Sequence, residues 1–157
     1  MSPLLIAHAD AVAAYRVLLQ AFLHIPVQAT DLAIHYQIQA RFSADLLKGL
    51  VDTGFFSREA CEIVMASKAC SMRPVRHQLL SVNQSDRLFR IARVTAMAGV
   101  VFGTREKAFR WLNTPEQRFL GSSPVGMLST IVGAKLVEET LKRSSGQAAN
   151  SPLKDHH

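Results

Sequence analysis

The sequence predicts an all-α protein. Apolar residues recur at helical spacing in almost every segment, and glycine, proline and small polar residues stand at the joints between segments. No stretch alternates apolar and polar residues as a half-buried strand would. At 157 residues the chain buries about two-thirds of its unfolded surface on folding, so it needs no metal or disulfide staple. Its 48% apolar and 19% charged residues are ordinary for a soluble protein. No apolar run approaches the ~20 residues that span a bilayer. The opening Met1-Ser2-Pro3-Leu4-Leu5-Ile6 lacks the basic region of a secretory signal, so a cytoplasmic location with no membrane association is expected.

The elements follow in order. Val12, Tyr15, Leu19, Phe22 and Leu23 form one helical stripe that stops before Pro26. Thr30 and Asp31 start the next helix. Ile34, Ile38, Phe42, Leu46 and Leu50 recur every fourth position along it, and Gly54 supplies a left-handed stop. That row either packs within the protomer or pairs across a two-fold axis. Ser57 caps a short helix with Glu59 in its first turn and Ala60, Ile63 and Val64 inward. A break over 67–70 follows, then a second short helix capped by Ser71, with Pro74 in its first turn and Val75, Leu79 and Leu80 inward. Two short helices about a tight turn make a helix-turn-helix pattern.

The strongest helix covers about 83–102. Leu88, Ile91, Ala92, Thr95, Ala98 and Phe102 form one face, and Val94, Met97 and Val101 a second, so several partners should bury it. Asp86 can pair with Arg90 four residues on. Gly103 closes this helix, and Thr104 caps another that ends at Trp111 and Leu112 before Pro115. Trp111, the single tryptophan, is a core residue or an interface anchor. Gly121 to Pro124 is a loop leading into a short helix. A last helix covers 133–143 with Leu136, Val137 and Leu141 apolar. The tail, 144–157, is polar and reads as unstructured.

The net charge of +6 is unevenly placed. Residues 57–118 carry eleven basic and five acidic groups, while the flanks together sum to zero. Such a surplus marks polyanion contact or a solvated face. In the helix-turn-helix, Ser71, Met72, Arg73, Arg76 and His77 would face DNA from the recognition helix, and Lys68 in the turn would hold a phosphate. Arg87, Arg90 and Arg93 either line such a surface or pair with carboxylates such as Asp86 and Glu106. Leu120-Gly121, Pro124, Met127 and Leu128 form an apolar, partly loop-borne patch suited to a protein partner or to local packing.

Catalysis is poorly supported. Glu138 and Glu139 are neighbours on a helix and point different ways. No glycine-rich phosphate loop, metal-binding His-Glu motif or nucleophile elbow is present. Cys61 and Cys70 read as two reduced thiols, and no cluster supplies the further ligands a zinc site needs. Neither cofactor nor metal is expected, and the chain reads as a binding protein.

One ordered series is more specific than any of these features. It runs Ser85-Asp86-Arg87-Leu88, Ala92-Arg93-Val94, Val101-Phe102-Gly103, Lys107-Ala108, Trp111-Leu112, Pro115, Leu120-Gly121, Pro124, Leu128, Thr130, Gly133-Ala134 and Val137-Glu138. The series resembles the toxin-binding domain of the Xre/MbcA/ParS group of type II antitoxins, and the chain as a whole resembles an antitoxin of the RES–Xre kind. Asp31 to Phe42 also resembles the N-terminal helices of that subgroup.

The resemblance implies N-terminal helices over 1–80, with a Xre-like helix-turn-helix at 57–80, and a helical toxin-binding domain over 81–143. It implies a homodimer that covers the entrance to the NAD pocket of a RES-type toxin and represses its own operon by binding operator DNA. Toxin contact is then expected from Leu120, Gly121, Pro124, Met127, Leu128, Glu138, Leu141, Lys142, Arg143 and Gly146. The basic middle segment serves equally well in a helix-turn-helix regulator that has no toxin partner.

Overall fold

The computed structural model describes residues 3–67 and 78–150. Among them are seven α-helices and two short 3₁₀ turns, and no strand. The helices are α1 (Pro3–Leu23), α2 (Asp31–Gln39), α3 (Ala44–Asp52), α4 (Arg58–Met65), α5 (Val82–Phe102), α6 (Arg105–Leu112) and α7 (Ile131–Asn150). The 3₁₀ turns are Gln117–Phe119 and Gly126–Ser129. The all-α expectation holds.

α5 is the axis of the molecule. It packs against α1, α2, α4, α6, α7 and the 126–129 turn, as its two apolar faces require. Leu88, Ile91, Ala92, Val94, Ala96 and Ala98 are all buried. Its start is fixed by a reciprocal cap. The Gln84 amide N–H donates to the Ser81 hydroxyl at 3.1 Å, and the Ser81 N–H donates to Gln84 Oε1 at 2.8 Å. Gly103 ends it at φ +83°, a left-handed conformation that glycine adopts without strain. Around α5 lies one buried cluster whose described members run from Leu19 of α1 to Leu141 of α7.

The row from Ile34 to Leu50 lies on two helices, not one. The chain breaks over 40–43, where Arg41 has φ +71°. The cause is tertiary. The Phe42 N–H donates to the buried Ser85 hydroxyl of α5 at 2.9 Å. The Phe42 carbonyl accepts from Leu80 N–H, and Ala44 N–H donates to the Gln78 carbonyl, both at 2.8 Å. Arg41 also donates to the Leu80 carbonyl at 2.6 Å. Residues 42–44 are thereby held to 78–80 and to the start of α5. Ile34, Ile38, Phe42 and Leu46 pack on the core of the same protomer, whereas Leu32 and Tyr36 on α2 face outward.

Other expectations are met or corrected locally. Ser57 caps α4 by accepting from Ala60 N–H at 3.2 Å, and Ala60 and Val64 are buried. Leu80 is buried, but Leu79 is exposed, because residues 78–80 are not helical and Leu79 is bridged to Ser43, which leaves the two neighbouring side chains on opposite sides. Cys61, read as a reduced thiol, is disulfide-bonded. Trp111 stacks on Phe102 of α5 with ring centroids 5.4 Å apart. α7 starts at Ile131, two residues before the expected position. It continues to Asn150, where polar composition predicted an unstructured tail from Ser144. The Ser144 hydroxyl donates to the Thr140 carbonyl at 3.0 Å, satisfying itself within the helix.

Candidate functional site

The chain between α6 and α7 is folded back tightly on itself. Glu116 N–H donates to the Ser122 carbonyl, and Gly121 N–H to the Glu116 carbonyl, each at 3.0 Å. Phe119 is drawn inward, and this puts Leu120 at the tip with φ +55°. A leucine there is sterically costly. Its side chain is 97% exposed, so no packing offsets that cost. Backbone strain and a bare apolar side chain at one residue suit a contact made with another molecule.

The loop is anchored from below. Pro124, Val125 and Leu128 are buried. The Ser123 hydroxyl accepts from Gly126 N–H at 3.1 Å and donates to Glu59 of α4 at 3.3 Å. Arg90 of α5, paired with Asp86 at 3.2 Å, donates to the Leu128 carbonyl at 3.3 Å. Thr130 caps α7 by accepting from Gly133 N–H at 2.9 Å. Gly133 lies so close to the 126–129 turn that a Cβ would sit 1.9 Å from the Met127 carbonyl oxygen.

α7 has two faces. Ala134, Val137 and Leu141 are buried against the core. Glu138 holds Arg93 of α5 at 2.6 Å, and that guanidinium lies 5.8 Å from the centre of the Tyr15 ring of α1. Burial works to lower the Arg93 pKa, but the hydrogen bond that Arg93 donates to Glu138 and the neighbouring negative charges outweigh it, leaving the pKa raised. Arg93 therefore stays charged and links α1, α5 and α7. The opposite face presents Ile131 and Val132, each 70% exposed, and Leu136 at 44%. Lys135, Glu139, Lys142 and Arg143 continue it outward. An apolar half thus runs into a charged half along one solvent-facing stripe.

The sequence-derived site residues divide accordingly. Leu120, Gly121, Lys142 and Arg143 face outward, and Met127 is half-buried. Pro124, Leu128 and Leu141 are core residues. Glu138 is half-buried in its ion pair, and Gly146 falls within α7. Lys68, Ser71, Arg73, Arg76 and His77 lie outside the described residues. Ile131, Val132 and Leu136 were missed as candidates. Their signal is that α7 carries two apolar faces, where a helix docked on one core needs only one.

Arg87, Arg90 and Arg93 pair inward, with Arg87 donating to the Val64 carbonyl at 3.0 Å. Glu106 pairs with Arg105 instead of with one of these three. Among the described residues no group of His, Cys, Asp and Glu could hold a metal ion, and no helix is long and apolar enough to cross a membrane.

An all-helical scaffold that presents a strained apolar tip and an apolar helix face defines a binding protein. Residues 97–146 match the model of the antitoxin Xre/MbcA/ParS C-terminal toxin-binding domain. The chain is 43% identical over 127 residues to a Pseudomonas putida protein named antitoxin Xre, covering 81% of this chain and 80% of that protein. The chain belongs to the Xre antitoxin family. It is a type II antitoxin, a regulatory protein and not an enzyme.

Proposed function

We propose that the chain neutralises a RES-type, NAD-degrading toxin by seating the outward face of α7 and the Leu120 tip over the toxin's substrate entrance. The observation that carries this is the exposed Leu120, Ile131, Val132 and Leu136, all within the segment that matches a toxin-binding domain. Inhibition of this kind needs no chemistry, only occupancy. An interface that buries about 1,200 Å² or more in total would suffice. Residues 81–143 form the toxin-binding part in this reading. Residues 57–80 read the operator of the chain's own operon through Lys68, Ser71, Arg73, Arg76 and His77. The protein works as a cytoplasmic homodimer.

The test is co-expression with the adjacent open reading frame. The parent chain should abolish that product's toxicity and NAD loss. Val132→Asp/Leu136→Asp should fold normally, since both residues are exposed, yet fail to protect. A harmless neighbour, or toxicity that persists beside the parent chain, would overturn the reading. A regulator without a toxin partner would bind the promoter equally well, but it gives no account of an apolar stripe on a matched toxin-binding segment.

A further inference from the structure

Among the described residues, the basic side chains of α4, α5 and α6 fall into two groups. Arg87, Arg90 and Arg93 turn inward and hold the fold together. Arg58, Arg105, Lys107 and Arg110 stay outward on α4 and α6. Three of these line a groove of about 760 Å³ between the end of α3, the start of α4 and α6, with Phe56, Phe109 and Asn113. Three guanidinium groups there face one carboxylate, Glu106.

The groove has a fixed wall and two more exposed cations. Arg105 is the wall: it donates to the Thr53 carbonyl, lies 5.9 Å from the centre of the Phe55 ring and pairs with Glu106 at 2.9 Å. Arg58 is held only by a surface pair with Glu62 at 3.2 Å, and its side chain is 80% exposed. Such a pair exchanges readily for another anion. Arg110 is exposed and meets no carboxylate among the described residues.

We infer that this groove seats the sugar-phosphate backbone of duplex DNA, with Arg58 and Arg110 each neutralising one phosphodiester. The inference rests on the DNA-binding reading of residues 57–80. In a helix-turn-helix the first helix crosses the DNA backbone while the second reads the bases. α4 is that first helix here, and the groove opens at its start. Contacts of this kind fix the protein's position on the duplex and carry no sequence information. Arg110 also lies within the segment that matches the toxin-binding domain, so DNA contact extends beyond the helix-turn-helix itself.

The experiment uses the full chain and two fluorescein-labelled duplexes, its upstream promoter and a scrambled sequence of equal length. Anisotropy is titrated across a potassium chloride series. Each phosphate contact contributes about 0.9 to the slope of log affinity against log salt. Arg58→Ala/Arg110→Ala should therefore flatten the slope by about 1.8 and weaken both duplexes alike, by about 30-fold near 0.15 M salt. Arg58→Lys/Arg110→Lys should retain most of the slope. Arg73→Ala/Arg76→Ala should instead weaken the promoter duplex more than the scrambled one.

A double-alanine variant with the parent's affinity and slope would overturn the groove assignment and leave the helix-turn-helix reading standing. A parent chain that binds neither duplex would overturn both. Unchanged DNA binding with lost toxin capture would also overturn the assignment, by making the groove a protein contact.

Discussion

Replacing Gly133 by alanine tests the seam between the 126–129 turn and α7. The new methyl group would meet the Met127 carbonyl oxygen at 1.9 Å, and relief requires a separation of at least 3.0 Å. Either side can move, and both moves cost. Shifting the turn displaces the fully buried Leu128 and the Leu128 N–H to Val125 carbonyl bond. Sliding α7 breaks the Gly133 N–H bond to Thr130 Oγ1 and strains that from Ala134 N–H to the Thr130 carbonyl. Overpacking costs about 1–3 kcal/mol, and each lost hydrogen bond about 0.5–1.5 kcal/mol. Alanine's helix preference returns at most ~1 kcal/mol. The net loss is about 2–4 kcal/mol, or roughly 5–15 °C in melting temperature at this chain length. Thermal unfolding followed by circular dichroism reads it directly. Gly49→Ala is the control: it lies inside α3 with nothing within 4 Å of its added Cβ, so it should raise stability by up to ~1 kcal/mol. If Gly133→Ala melts at or above the parent temperature, the close approach of α7 to the turn is wrong.

Three further outcomes are expected. Ser85→Ala leaves the Phe42 N–H without its 2.9 Å acceptor in a buried position. It should cost about 1–3 kcal/mol in urea unfolding and speed exchange at the Phe42 amide; unchanged exchange there would contradict the assigned bond. Leu120→Gly removes the left-handed strain, so stability should rise by about 1 kcal/mol, while toxin capture measured by calorimetry weakens. The two effects moving together would refute the tip's proposed role.

Burial raises the Tyr15 phenol pKa above its ordinary value, with the Arg93 charge opposing it. A phenol favoured neutral in the folded state contributes stability that is intact below about pH 10 and is lost as pH climbs through its folded value. In Tyr36→Phe, phenolate absorbance then reports Tyr15 alone. A midpoint at or below the free-phenol value would show that Tyr15 is not packed as described.

Much of the fold was legible because periodicity reports burial. α5 declared itself through two apolar faces, Leu88-Ile91-Thr95 and Val94-Met97-Val101, and is the helix on which α1, α2, α4, α6 and α7 pack. Ser57, Thr104 and Gly103 act as the caps that their side chains, or the lack of one, suggest. The break between α2 and α3 was illegible because Ile34, Ile38, Phe42 and Leu46 keep a four-residue spacing straight through it. What breaks the helix is a serine hydroxyl 43 residues away, and no local pattern encodes that. The candidate site divides in the same way. Leu120-Gly121 stood out as an apolar residue beside a glycine. Pro124, Leu128 and Leu141 looked equally apolar but are consumed by the core. Ile131 and Val132 went unnoticed because α7 was expected to begin after them.

The buried cluster that surrounds α5 draws on Leu19, Phe42 and Leu80 as much as on Leu128, Val137 and Leu141. A gene cut near codon 80 would therefore encode two fragments, each with half an interior open to water. Under the proposed roles, the promoter clamp and the toxin muzzle are made and destroyed as one object. A protease that unravels either end frees the toxin and the operon at the same moment.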